Sequence, residues 1–88
     1  MKIEFTPSFK KDIKRLRDGA MCARLEKTVE ALEQAVSLDA VPQLKKLAAS
    51  SNCYRIRIGD YRLGLQTDGK VMLLVRFLHR RDIYRSFP

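Results

Sequence analysis

With 88 residues, 45% of them hydrophobic, the chain has room for one modest core and is expected to form a single domain over residues 1–88. Its longest apolar run, Val71–Val75, is too short to cross a bilayer, the MKIEF start lacks a signal-peptide pattern, and two cysteines without CxxC spacing plus one histidine make no zinc motif. The formal net charge of +8 is concentrated in the second half: residues 1–44 hold eight Lys/Arg against seven Asp/Glu, residues 45–88 ten against three, which makes that half a candidate polyanion-binding surface.

Lys2-Ile3-Glu4-Phe5 alternates polar and apolar residues and reads as a short strand. Thr6-Pro7 supplies a helix cap and then a proline at the first helical position. Phe9, Ile13 and Leu16 form the buried stripe of that helix, with Lys10, Lys11, Lys14, Arg15 and Arg17 around it. Asp18-Gly19 reads as the stop, with Gly19 in the left-handed position after the helix. A second helix is predicted from about Ala20 to Val36, with Leu25, Val29, Leu32 and Val36 inward and Glu26, Glu30 and Glu33 outward. Its short connection to the first helix implies an antiparallel pair. Ser37 to Ser51 is a connector, with one short helical turn expected around Gln43–Leu47.

From Cys53 the hydrophobic period changes from helical to alternating. Tyr54–Ile58 and Tyr61–Gln66 are strands joined by Gly59-Asp60, a composition suited to a primed hairpin turn. Thr67-Asp68-Gly69-Lys70 turns into a third strand, Val71–Leu78, whose nearly continuous apolar character predicts a central position covered on both faces. Arg80–Phe87 has room for one or two helical turns. The predicted fold is α+β: an N-terminal strand, a two-helix antiparallel hairpin, then a curved, mostly antiparallel sheet from three C-terminal strands and a short C-terminal helix, in the order β-α-α-β-β-β-α.

The hairpin YRIRIGDYR poses an electrostatic question. A two-residue turn sets Ile58 against Tyr61, Arg57 against Arg62, Ile56 against Leu63 and Arg55 against Gly64. One face then carries Tyr54, Ile56, Ile58, Tyr61, Leu63 and Leu65. The other carries Arg55, Arg57 and Arg62, with Gly64 leaving open space beside them. A one-residue slip would bury the arginines, so the apolar pattern fixes the register. Like charges directly opposed across a hairpin destabilise it, and Asp60 and Asp82 cannot balance every arginine. A phosphodiester, which arginine's planar fork binds in a bidentate manner, is the natural ligand.

The string His79-Arg80-Arg81-Asp82-Ile83-Tyr84-Arg85 adds a group that moves protons near neutral pH and a phenol that can orient a base or stack on a nucleobase. Duller roles are also open: His79 as a strand-end cap and Tyr84 as packing under the last helix. No cluster of Asp, Glu or His suited to Mg²⁺ or Zn²⁺, no GxSxG and no Gly-rich phosphate loop is present. A nuclease made of these residues would use no metal and no cofactor. RNA's own 2′-OH would attack the adjacent phosphate, leaving a 2′,3′-cyclic phosphate and a 5′-OH, while arginines neutralise the transition state.

The opening strand and helix pair, Leu44-Lys45-Lys46-Leu47, YRIRIGDYRLGLQ, Asp68-Gly69 and the closing HRRDIY together resemble the RelE/ParE superfamily of toxins from type II toxin–antitoxin pairs, over nearly the whole chain. The resemblance implies a cytoplasmic mRNA interferase of the RelE type, cutting mRNA in the ribosomal A site. It also implies a toxin that is monomeric when free and hetero-oligomeric with a cognate antitoxin covering or distorting the basic site, with no membrane partner. By motif position, Arg55 and Arg57 match the basic pair on the first hairpin strand, and Arg62 matches the phosphate-stabilising arginine. Arg80 matches the basic residue after the last strand, and Tyr84 the C-terminal tyrosine. Lys45, Lys46, Arg81 and Arg85 are the flanking cations expected to bind RNA. Two departures stand out. Relatives often carry Lys where Arg55 and Arg57 stand, and arginine cannot act as a base; His79 or Tyr84 then takes the proton, or the reaction is largely electrostatic. Leu78 also replaces the glycine usual before the His-Arg pair. The competing readings are a ParE-like gyrase inhibitor and a catalytically inactive antitoxin-binding module.

Overall fold

Val71–His79 is the longest strand, and the sheet is laid out on either side of it. The computed structural model describes residues 1–47 and 52–87. In chain order these form β1 (Lys2–Phe5), α1 (Pro7–Arg15), α2 (Gly19–Gln34), a 3-10 turn at Leu38–Ala40, β2 (Leu44–Lys46), β3 (Cys53–Ile58), β4 (Tyr61–Thr67), β5 (Val71–His79) and α3 (Ile83–Ser86). The strands make a five-stranded sheet in the order β1-β5-β4-β3-β2. β1 runs parallel to β5, and the other pairings are antiparallel.

The hairpin register is the one the alternation predicts: Ile58 opposite Tyr61, Arg57 opposite Arg62, Ile56 opposite Leu63 and Arg55 opposite Gly64. One face of the sheet buries Ile56, Ile58, Leu63, Leu65, Met72, Leu74 and Phe77 against Phe9 of α1 and Met21, Leu25 and Leu32 of α2. Each of the wholly buried side chains, Leu32, Leu63, Leu65, Met72 and Leu74, gains roughly 1.5–3 kcal/mol from leaving water. The opposite face carries a second, smaller cluster in which Cys53, Ile83 and Phe87 are buried with Leu47, Val75 and Leu78 packed around them. β5 thus contributes to both sides, as its apolar composition predicts.

A bulge in β5 makes that possible. Leu65 pairs with Leu74 but Gly64 pairs with Arg76, so Val75 is the extra residue. The additional residue resets the alternation: Leu74 and Phe77 both face the helices, while Val75 turns to the second cluster. Thr6 secures the bulge. Its N–H donates to the Leu74 carbonyl at 3.1 Å and its hydroxyl to the Val75 carbonyl at 2.8 Å, while its Oγ1 accepts from Phe9 N–H at 3.0 Å as the cap of α1.

β1 pairs with β5 only as far as Leu74, which leaves the next stretch of that edge without a strand. Asp12, projecting from α1, takes the missing strand's place. Its Oδ2 accepts from the Phe77 N–H at 2.9 Å, and its two oxygens accept from Arg76 Nε and Nη2, both at 2.9 Å. The Asp12 side chain is only 2% exposed, so three bonds compensate a buried carboxylate. The bond to Asp12 raises the Arg76 pKa against an opposing effect of burial.

Four local expectations are corrected. Gln43–Leu47 is not helical: Leu44–Lys46 pairs with Tyr54–Ile56 as an edge strand, because alternating Leu44-Lys45-Lys46 finds an open edge on β3. Gly19 is not a helix stop. α1 ends at Leu16 in extended backbone, and Asp18 caps α2 by accepting from Met21 N–H at 3.0 Å, which makes Gly19 the first helical residue. Val36 lies beyond the end of α2 and is 94% exposed. The space beside Gly64 is filled, as described below. The far end of the Ser37–Ser51 connector lies outside the described residues. Cys22 and Cys53 are unpaired thiols, and among the described residues no helix is long and apolar enough to cross a membrane.

Replacing Asp12 with alanine should expose the Phe77 N–H to an empty edge and leave Arg76 without its partner. The expected loss is about 2–4 kcal/mol of unfolding free energy, read from urea midpoints at unchanged m-value. A loss within measurement error would show that the clamp contributes nothing to the fold.

Candidate functional site

On the arginine face of the sheet an open cleft of about 340 Å³ is lined by Gln43, Leu44, Lys45, Arg55, Arg57, Arg62 and Tyr84. β2 and β4 each place one cation here and β3 places two, through the pairings Lys45–Arg55 and Arg57–Arg62. Among the described residues none of Lys45, Arg55, Arg57 or Arg62 has a carboxylate within ion-pair distance. Four cations therefore share a wall with no anion.

Three local arrangements make that tolerable. Arg62 folds back on the turn, its Nη1 donating to the Gly59 carbonyl at 2.9 Å and the Tyr61 carbonyl at 2.8 Å. Arg55 lies over the ring of Tyr84, with Cζ 4.7 Å from the centroid, a cation–π contact that partly compensates the charge. Arg57 stays exposed to solvent. Residual strain is visible at Arg62, whose pKa is pushed down first by burial and then by Arg57, with smaller contributions from Arg55 and Arg80 and an opposing one from Tyr84. An incoming anion relieves that repulsion.

Tyr84 is in place because of Gly64. A Cβ on Gly64 would sit 2.5 Å from Phe87 Cδ2, so the sheet has a notch there and the Phe87 ring fills it. Phe87 and Ile83, both buried, anchor α3 to the arginine face. Tyr84, on the intervening turn and 66% exposed, then hangs over Arg55.

The remaining predicted site residues divide. Arg80 donates its backbone N–H to the Asp60 carbonyl at 2.8 Å, which pins the end of β5 beside the hairpin turn; its charge reaches Arg62, although its side chain does not form the cleft wall. His79 is not brought to the cleft. It pairs with Tyr61 in the sheet, its ring meets Tyr61 edge-on at 5.6 Å, and its Nδ1 accepts from the Arg81 N–H at 3.2 Å. That is the capping role at a strand end, on the helix-covered side. Lys46 pairs with Tyr54 and so points to the face opposite Lys45. Arg81 is exposed, and Arg85 makes a solvent-facing pair with Asp82 at 3.8 Å.

Gln43 and Leu44 belong to the cleft although sequence reasoning assigned them to a helical turn. Gln43 has a positive φ of 62°, unusual for a residue with a side chain. Pro42 before it was the available signal that the chain turns there.

The sequence and fold of the chain resemble those of known proteins. A family model described as the ParE toxin of the type II toxin–antitoxin system parDE matches residues 3–84. The curated Toxin RelE3 of Methanocaldococcus jannaschii is 37% identical over 89 residues, covering 100% of both chains. A crystal structure of a RelB–RelE antitoxin–toxin complex from Methanococcus jannaschii contains a chain that superposes with a TM-score of 0.82 at 34% identity, covering 97% of this chain and 99% of that one. The archaeal RelE–RelB complex from Pyrococcus horikoshii OT3 gives 0.69 at 22% identity over 92% and 96% of the two chains, which extends the likeness in fold alone.

If Gly64 is the socket for α3, Gly64→Ala should cost about 1–3 kcal/mol by overpacking, and the amide resonances of Ile83–Phe87 should shift. Adding Phe87→Ala should remove most of the Gly64→Ala penalty, seen as strong non-additivity in a denaturation double-mutant cycle. Additive losses would disconnect the two residues.

Proposed function

The chain belongs to the RelE/ParE superfamily and is a RelE-like toxin of a type II toxin–antitoxin system, and we propose that it acts as a ribosome-dependent endoribonuclease that cleaves mRNA in the A site. The observation that carries this reading is the convergence of Lys45, Arg55, Arg57 and Arg62 with Tyr84 on one uncompensated cationic cleft. Such a wall suits a phosphodiester whose charge grows during reaction. The 2′-OH attacks the adjacent phosphorus, the bond to the 5′-oxygen breaks, and the products are a 2′,3′-cyclic phosphate and a 5′-OH. Arg62, held by two carbonyls, is preorganised to meet the developing charge. Arg55 and Arg57 grip the same phosphate, and Arg80 provides the positive field on the leaving-group side.

Arginine cannot take the 2′-OH proton, and His79 faces away from the cleft. Tyr84 is then the residue that orients the nucleophile or its base, and the greater part of the acceleration is electrostatic. Among the described residues the cleft wall holds no carboxylate, and the proposed reaction assigns no step to a metal.

A cognate antitoxin is the expected partner, since the related Methanococcus jannaschii and Pyrococcus horikoshii toxins are found in RelB–RelE complexes. The toxin is taken to act as one domain in the cytoplasm, where translating ribosomes are. A ParE-like action on gyrase is the second reading, because the matching family model is described as a ParE toxin; the cationic cleft of this chain favours RNA.

Induced expression followed by mapping of mRNA 5′ ends is the deciding experiment. Codon-phased cuts within reading frames are expected, whereas inhibited DNA supercoiling with intact mRNA would replace this reading by the second. Arg62→Ala and Arg80→Ala should each lower single-turnover cleavage of ribosome-bound mRNA about 10²–10³-fold. Activity within a few-fold of wild type for both would overturn the site assignment.

A further inference from the structure

Next to the cationic cleft lies a second recess of about 220 Å³, lined by Lys27, Thr28 and Ala31 of α2, by Val41, Pro42 and Gln43, and by Ile56 and Arg57 of β3. Its wall is mainly apolar, with Val41 and Ile56 buried behind it. The two cavities share Gln43 and Arg57. The reason is topological. β2 begins at Leu44 opposite Ile56, so the edge of β3 is uncovered at Arg57, and a strand lying on the arginine face can pass around that edge into the recess. Gln43 stands at the passage. Its left-handed backbone, φ 62°, turns the chain out of the ladder there, and among the described residues its exposed carboxamide has no hydrogen-bond partner.

We propose that this recess is a nucleobase subsite, and that the Gln43 carboxamide selects which base enters it; the proposal rests on the cleft being an RNA-phosphate site. A cavity of about 150 Å³ is enough for a benzene ring, so 220 Å³ accommodates one base, with Pro42 and Ala31 as flat apolar contacts for its ring. Lys27 and Arg57 at the rim match the charge of the attached phosphates. The amide presents one acceptor and two donors at the entrance, and a base edge is read by such a group. Arg57 joins the two sites, gripping the phosphate on one side and bordering the base on the other. Gln43 is accordingly a specificity-determining residue, separate from the arginines that carry the reaction.

The test uses four short RNA oligonucleotides that differ at one base and carry a 2′-deoxy sugar there, so that they are bound and not cut. Each is titrated into the ¹⁵N-labelled full-length toxin. Wild type should prefer one base over the least favoured by about tenfold, with amide shifts at Thr28, Ala31 and Val41 as well as at Arg57 and Arg62. Gln43→Gly, which removes the amide and relaxes the left-handed backbone, should equalise the four affinities by lowering that of the preferred base toward the others. Gln43→Asn, which keeps the backbone preference on a shorter arm, should do the same. Arg62→Ala should weaken all four alike. A base preference that survives both Gln43 variants, or shifts confined to the arginines, would overturn the subsite and leave the phosphate reading standing. Absence of any response at Arg57 and Arg62 would remove both.

Discussion

The turn at Gly59-Asp60 determines where every charge of the hairpin goes. Gly59 has a φ of 59°, and with two residues in the loop, Arg57 and Arg62 must face one another. What holds this register is not the arginines but their neighbours. Ile56, Ile58, Leu63 and Leu65 are each at most 4% exposed, and slipping one residue would exchange them for guanidiniums. The hydrophobic effect on one face therefore confines the cations on the other. Their mutual repulsion is a cost the fold accepts, because the buried side of the same strands is worth several times more.

That economy depends on a sheet that works on both faces. The Val75 bulge lets β5 supply Leu74 and Phe77 to the helices while Val75 and Leu78 serve α3. Asp12 and Thr6 then occupy the backbone positions that the short β1 leaves unpaired. On the far face, the lack of a side chain at Gly64 admits Phe87, Phe87 fixes α3, and α3 suspends Tyr84 over Arg55. A four-residue helix has no stability of its own. It exists here because two of its neighbouring apolar side chains have a place to bury, and the aromatic part of the cleft depends on that burial.

Alternation and turn chemistry made β3, β4 and β5, and the register between β3 and β4, legible from the residues, because a half-buried hairpin allows only one pairing. Helix α1 was legible for the same reason, through Thr6-Pro7 and the Phe9–Ile13 stripe. The long-range contacts were not. Nothing local in Lys10-Lys11-Asp12-Ile13 marks Asp12 as buried, since its partners Arg76 and Phe77 are more than sixty residues away. Gly64 read as open space because the ring that fills it comes from the other end of the chain. Leu44–Lys46 is short enough to be helix or strand, and only the vacant edge of β3 decides. His79 sits beside Arg80 in sequence, but strand alternation sends it to the face shared with Tyr61. The arginine cluster was legible; the histidine's separation from it needed the register of β5.

A grip made mostly of arginine has a chemical consequence. In the proposed reaction Arg55, Arg57 and Arg62 would hold and neutralise a phosphate, but an arginine does not serve as a base. On the reading proposed, the cleft supplies transition-state charge stabilisation without a strong base of its own. A catalyst of that kind gains most when the nucleophile is already in line with the leaving oxygen, because orientation then contributes what the base does not. Free RNA is seldom in that geometry, and a flat, open cleft on one side of a small sheet cannot impose it. A ribosome that holds the codon from the other side can. On the proposed reading, a dependence on the ribosome would follow from the same feature that makes the site open: it would be one half of an active centre, rich in charge and poor in proton chemistry.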